Sequence, residues 1–126
     1  MSTPVQTLVP KIIDTAAFPA KPVRMEGVKD ALIREVITGA DGAPNFAMRI
    51  FDVAPGGHTP RHSHNYEHEI YVLAGAGEMH TAEGPRTFKA GDAIYVPANA
   101  EHQFRTVGDE TLRFICLIPI AQNCAR

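Results

Sequence analysis

The chain has 126 residues, enough for one domain with its own core and too few for two, so any site must be built within a single compact unit. Hydrophobic residues make up 44%, charged residues 21%, and the formal charge is −2, which excludes the basic surplus needed to bind along a phosphate backbone. The opening MSTPVQTLVPKIIDTAAFP lacks the basic start and unbroken apolar run of a secretory signal, and no apolar stretch is long enough to span a bilayer. A cytoplasmic protein is expected, with neither nucleic acid nor membrane as a partner.

In chain order, Pro4, Pro10, Pro19 and Pro22 prevent an early helix, and residues 1 to 27 read as an extended N-terminal arm with a first strand. ALIREVI (31 to 37) has the β-branched enrichment of a strand, and GADGAP (39 to 44) reads as a turn cluster leading into a hairpin. Strand-like runs then alternate with turn signals: NFAMRIFDV before APGG, HEIYVL before AGAG, EMHTA before EGP, RTFKA before GD, AIYVP before ANAE, HQFRTV before GDE, and finally TLRFICLI. This spacing predicts an all-β sandwich or barrel over 28 to 120 with little helix, followed by a tail over 121 to 126. Cys116 and Cys124 are the only cysteines, and reduced thiols are expected.

Four of the six histidines fall in two clusters. His62 and His64, in RHSH, stand two apart, so on a strand both rings leave one face and can converge on an ion. Two histidines at this spacing on a solvated surface are the plainer alternative when nothing else is present. The stretch GGHTPRHSHNYEHEIYVLAG (56 to 75) resembles the first sequence motif of the cupins: Gly56, His62, His64 and Gly75 all fall into place. Counting three residues on from His64, or six back from Gly75, leads to His68 where that motif has glutamate. The motif also allows one more intervening residue, which would put Glu69 in the ligand position. His68 keeps strand parity with His64, whereas Glu69 needs a bulge. Glu67 reads as an outer or surface carboxylate.

GDAIYVPANAEH (91 to 102) is similar to the second cupin motif, with Gly91, Pro97 and His102 matching. Asn99 replaces a usual glycine and Thr106 a usual asparagine; asparagine is among the few residues that accept a left-handed turn. Further resemblance, in APNFAMRIFDVAPGG and FRTVGDETLRFICLIP, is to small single-domain cupins whose metal, often manganese, sits on four histidines.

That resemblance implies a cupin (double-stranded β-helix, or jelly-roll) barrel with one divalent ion per chain on His62, His64, His68 and His102. Manganese is favoured, then iron, zinc, copper or nickel, since donor type alone does not fix the ion. Four neutral imidazoles leave the ion its full charge, and ligands drawn from one wall of the barrel leave positions open for water, dioxygen or a substrate. Strand alternation puts Phe104 on the face of His102, and Phe114, Cys116 and Ile118 opposite the face of Arg113. Phe104, Cys116 and Tyr66 are thus the candidate pocket residues. Arg49 would anchor a carboxylate if it pointed inward, but a charged strand residue more often faces out. His58 and His80 read as structural or surface residues.

The functional expectation is a metal-dependent oxidoreductase, dioxygenase-like, acting on a small organic molecule. The alternatives are a non-catalytic small-molecule-binding cupin with a structural metal, or a metal-dependent isomerase. A homodimer is expected, with the arm adding a strand to a partner's sheet edge.

Overall fold

A computed structural model describes residues 9 to 120; the tail over 121 to 126, with Cys124, lies outside them. Among the described residues there is no α-helix, and hence none long and apolar enough to cross a membrane. The strands are β1 (Lys21–Pro22), β2 (Lys29–Ile37), β3 (Phe46–His58), β4 (His68–Ala74), β5 (Ala76–Thr81), β6 (Gly84–Lys89), β7 (Ala93–Val96), β8 (Gln103–Val107) and β9 (Leu112–Pro119). Two 3-10 turns, Thr15–Ala17 and Gly39–Asp41, complete the inventory. The second forms within the predicted turn cluster because Thr38 and Asp41 cap it reciprocally and Gly42, at φ +88°, ends it.

One predicted break does not occur. β3 runs on through Ala54, Pro55, Gly56 and Gly57 instead of ending before them. Its register against β2 shifts between Ala31, opposite Val53, and Lys29, opposite His58, so the surplus residues bulge out of the ladder. Glycine makes this possible: Gly56 sits at φ +79°, and a Cβ on Gly57 would lie 2.6 Å from the carbonyl oxygen of Lys29. The bulge swings the end of β3 onto β8, where His58 pairs with Arg105.

All neighbours pair antiparallel, in the order β6-β5-β8-β3-β9-β4-β7, with β2 also on β3 and β1 on β2. The sheet curls into two facing walls, β1-β2-β3-β9-β4-β7 and β6-β5-β8, joined at the far end of β3. Strand alternation then fills the interior. Val53 on β3, Ile70 and Val72 on β4, Phe88 on β6, Phe104 on β8, and Leu112, Phe114 and Ile118 on β9 are all buried there. Each such side chain contributes about 1.5–3 kcal/mol of burial. Gly77 on β5 leaves room for the Phe88 ring, which occupies the space where a Cβ would be.

The outer face is tied by a buried acid. Asp52 accepts from Arg34 Nη1 at 2.6 Å and from Arg113 Nε at 2.6 Å, joining β2, β3 and β9. Burial would raise its pKa, but the bonds from Arg113 and Arg34 prevail and hold the carboxyl below its ordinary value. β1 pairs with β2 of its own chain, Lys21 opposite Ile33 and Pro22 opposite Leu32. β1 thus edges the sheet of its own barrel.

Candidate metal centre

The two histidine segments are stitched together by main chain before any side chain is considered. His62 and His102 form an isolated antiparallel bridge, with N–H to carbonyl distances of 3.1 and 2.9 Å in the two directions. Asn99 donates its backbone N–H to the carbonyl of His64 at 2.7 Å and takes φ +70°, the left-handed conformation expected of it. Thr106, the other departure from the motif, donates its hydroxyl to the carbonyl of Val53 at 2.8 Å and so ties β8 to β3.

On this frame the rings converge. Centroids of His62, His64 and His102 are 5.0 Å apart pairwise, and one ring nitrogen from each lies within 4.8 Å of the others. His64 and His102 donate Nδ1–H to the carbonyls of Tyr66 and Ala100, both at 2.9 Å. Those bonds leave Nε2 unprotonated and free to act as a metal donor. Burial pushes the pKa of His62 down to about 4 and lowers those of His64, His68 and His102, keeping the imidazoles in the neutral form a metal requires.

His68 joins from β4. Its parity with Ile70 and Val72 turns it inward, while Glu69 and Tyr71 are exposed on the outer face. Glu69 is therefore directed away from the cluster, as the parity argument expected. His68 lies outside the tight trio, yet its Nε2 is 2.6 Å from Nε2 of His64 and its Nδ1 is 2.9 Å from Cys116 Sγ. Two ring nitrogens this close need a proton or a cation between them. This chemistry, with the fixed tautomers of His64 and His102, fits a single divalent ion.

The cluster lines one side of a cavity of about 360 Å³. Phe51, Phe104, Phe114 and Ile33 supply much of the rest of the wall, and Val23 and Met25 border it from the arm. All three candidate pocket residues line it. Phe104 packs 5.8 Å from the His102 ring, and Tyr66 stacks on His64 with centroids 4.0 Å apart. Cys116 is buried, and burial raises its thiol pKa. His58 and His80 stay outside, against Gln103 and Glu101 respectively.

Arg49 differs from its expected outward position. β3 and β9 are in register with Ala47 opposite Ile118, Arg49 opposite Cys116, Phe51 opposite Phe114 and Val53 opposite Leu112, which puts the arginine on the inward set. Its Nη2 donates to Cys116 Sγ at 3.2 Å, and its Cζ lies 5.1 Å from the centre of the Phe51 ring. The signal was available in sequence: Arg49 alternates with Ala47, Phe51 and Val53, all apolar. Among the described residues no Asp or Glu lines the cavity.

Residues 49–118 match the Cupin domain family, Cupin_2. The polyketide cyclase RemF from Streptomyces resistomycificus has a solved structure that superposes with a TM-score of 0.85, at 34% identity over 90% of this chain and 81% of that one. Among curated relatives, the 1-methylthio-D-xylulose 5-phosphate methylsulfurylase of Rhodospirillum rubrum is 30% identical over 70% of this chain and 56% of its own length. The dimethylsulfoniopropionate lyase DddW of Ruegeria pomeroyi is 32% identical over 78% of this chain and 68% of its own. The chain spans about half the length of the methylsulfurylase and of the Streptomyces halstedii protein SchB. Sequence motifs, barrel topology and the domain match agree: the chain belongs to the cupin family.

Proposed function

We propose that the chain binds one divalent metal ion through His62, His64, His68 and His102 and acts on a small, flat, carbonyl-bearing molecule held against the wall that Phe51, Phe104 and Phe114 form. One observation carries this reading: a cluster of neutral imidazoles opens into an aromatic-walled cavity that, among the described residues, no carboxylate lines. The ion would supply Lewis acidity toward a substrate carbonyl. The aromatic side chains bind and orient a planar substrate and exclude water, and the carbonyls of Tyr66 and Ala100 hold the protons of His64 and His102 away from the ion's side. RemF is named a polyketide cyclase, and ring closure of a carbonyl-rich chain suits such a chamber.

This reading keeps the metal-dependent enzyme expected from the sequence and sets its oxidoreductase form second, because that form needs a redox ion and dioxygen as well. A sugar-phosphate isomerase would want several cationic side chains in the cavity; among the described residues it has Arg49 alone. Manganese remains the favoured ion by resemblance, with iron, zinc, copper and nickel compatible with the same donors.

The test uses benzoylacetone, a flat 1,3-dicarbonyl, added to metal-replete protein. A shift of its enolate absorption band is expected, absent from a His62→Ala/His102→Ala variant, with no oxygen uptake. A full complement of metal with no spectral change would remove the carbonyl reading, and oxygen uptake on adding the diketone would favour the oxidoreductase.

A further inference from the structure

Among the described residues Arg49 forms no ion pair: Glu35, opposite it on β2, is exposed and makes no salt bridge to it. Its guanidinium is permanently cationic, and its place on the inward set of β3 sends it into the cavity wall. Its Nη2 donates to a thiol sulfur, Cys116 Sγ at 3.2 Å, and its Nε is buried with no hydrogen-bond partner. The face of Phe51 offers some compensation at 5.1 Å, but a ring quadrupole does not replace a counter-ion. Arg49 is half-buried, and a charge drawn partly out of water is normally paired, because removing it from water is costly.

The surroundings make the deficit larger. The ionisable neighbours in the cavity wall are His62, His64, His68, His102, Tyr66 and Cys116, none of them anionic in its ordinary neutral form. After burial, and alongside the neighbouring imidazoles, the positive charge of Arg49 is a further cause holding His62, His64 and His68 neutral, so its field reaches across the cluster. With a divalent ion in place the chamber would hold the ion's charge and that of Arg49 and, among the described residues, no negative one. Asp52, three positions along β3, is on the other face and already satisfied by Arg34 and Arg113.

We infer that Arg49 is the anion anchor of this cavity, and that the ligand it selects is a flat aromatic or polyenic molecule bearing a carboxylate. The inference rests on the cavity being the substrate chamber, as proposed above, and names a substrate class that the metal site by itself does not. A single guanidinium fork matches one planar carboxylate through two parallel bonds. A phosphate dianion, half neutralised by one arginine among phenylalanines, fits less well. The Cys116 sulfur lies between Arg49 Nη2 at 3.2 Å and His68 Nδ1 at 2.9 Å, so a carboxylate on Arg49 would be positioned next to the metal cluster.

The experiment compares 2-naphthoate with the isosteric, uncharged 2-naphthamide by calorimetry on the metal-loaded 126-residue chain, with metal content measured in every sample. Wild type is expected to prefer the acid, and Arg49→Gln to lower that preference by about ten-fold or more at unchanged metal content. Arg49→Lys, which keeps the charge and loses the fork, is expected to fall between the two. An acid-to-amide ratio in Arg49→Gln within about two-fold of wild type would overturn the assignment, whatever the metal does. Should the glutamine variant fail to fold, wild type still decides. Phenylglyoxal labelling of Arg49, read by peptide mass spectrometry, is expected to be blocked by bound naphthoate and not by the amide. Labelling undiminished under saturating naphthoate would refute the pairing. Diketone binding without acid preference would sink this inference and leave the metal reading standing; acid preference without diketone binding would do the reverse.

Discussion

His68 and Glu69 are adjacent in sequence and on opposite faces, since one strand step separates the inside of the barrel from the outside. His68→Ala is expected to reduce bound metal well below one ion per chain, by at least about ten-fold in affinity, while Glu69→Ala leaves it unchanged. Elemental analysis after dialysis against a weak chelator checks both, and the opposite pattern would move the fourth donor to the carboxylate. The inward direction of His68 was legible in advance because parity is a strict consequence of the pleat. Arg49 shows the converse. Charged strand residues usually face outward, but the alternation of Ala47, Arg49, Phe51 and Val53 obeys the same geometry that placed His68 and turns the arginine inward. Its local rule was the stronger one.

At the level of strands, Asp52 joins three of them through Arg34 and Arg113. Asp52→Ala would leave Arg34, itself largely buried, with only its bond to the carbonyl of Phe18 at 3.1 Å, and would release Arg113 to solvent. A loss of about 2 kcal/mol is expected from denaturant unfolding, with Asp52→Asn costing less. Metal content should stay unchanged, because the triad is on the outer face. Turn signals located the strands well from β4 onward: Gly75, at φ +82°, separates β4 from β5, and Gly91, at φ +94°, precedes β7. They failed at Ala54–Gly57. Glycine and proline mark a departure from the ladder, and composition does not distinguish a departure that ends a strand from one that bulges and rejoins it. Only the register with β2 settles that, and register is a property of two segments.

Across the whole molecule, placing four imidazoles in one interior couples stability to acidity. Each has a folded-state pKa below the ordinary value of 6.5, so on acidification the unfolded chain takes up protons that the folded chain refuses. The cost is absent above that value and grows as pH falls from 6.5 toward about 4, where His62 itself begins to accept a proton. Denaturation midpoints are therefore expected to drop between about pH 7 and pH 5, and to drop further when metal is present, since the ion holds the same nitrogens against protons. A flat profile over that range would contradict the neutral cluster. The outer wall of the same barrel exposes Tyr71, Leu73 and Tyr95 on β4 and β7, a surface suited to a second copy. Light scattering is expected to give two chain masses, and a single mass would remove the homodimer.

The reciprocal main-chain bridge between His62 and His102 bears on which ion the proposed site would take up. A bridge that ties the backbones of two proposed donors together sets their spacing alike for any cation, so the site would have little means of refusing a competitor with the same taste for nitrogen. Selection then passes from the protein to its surroundings. The element found in a given preparation records the supply the chain met while folding, and different growth media should yield the same barrel carrying different metals.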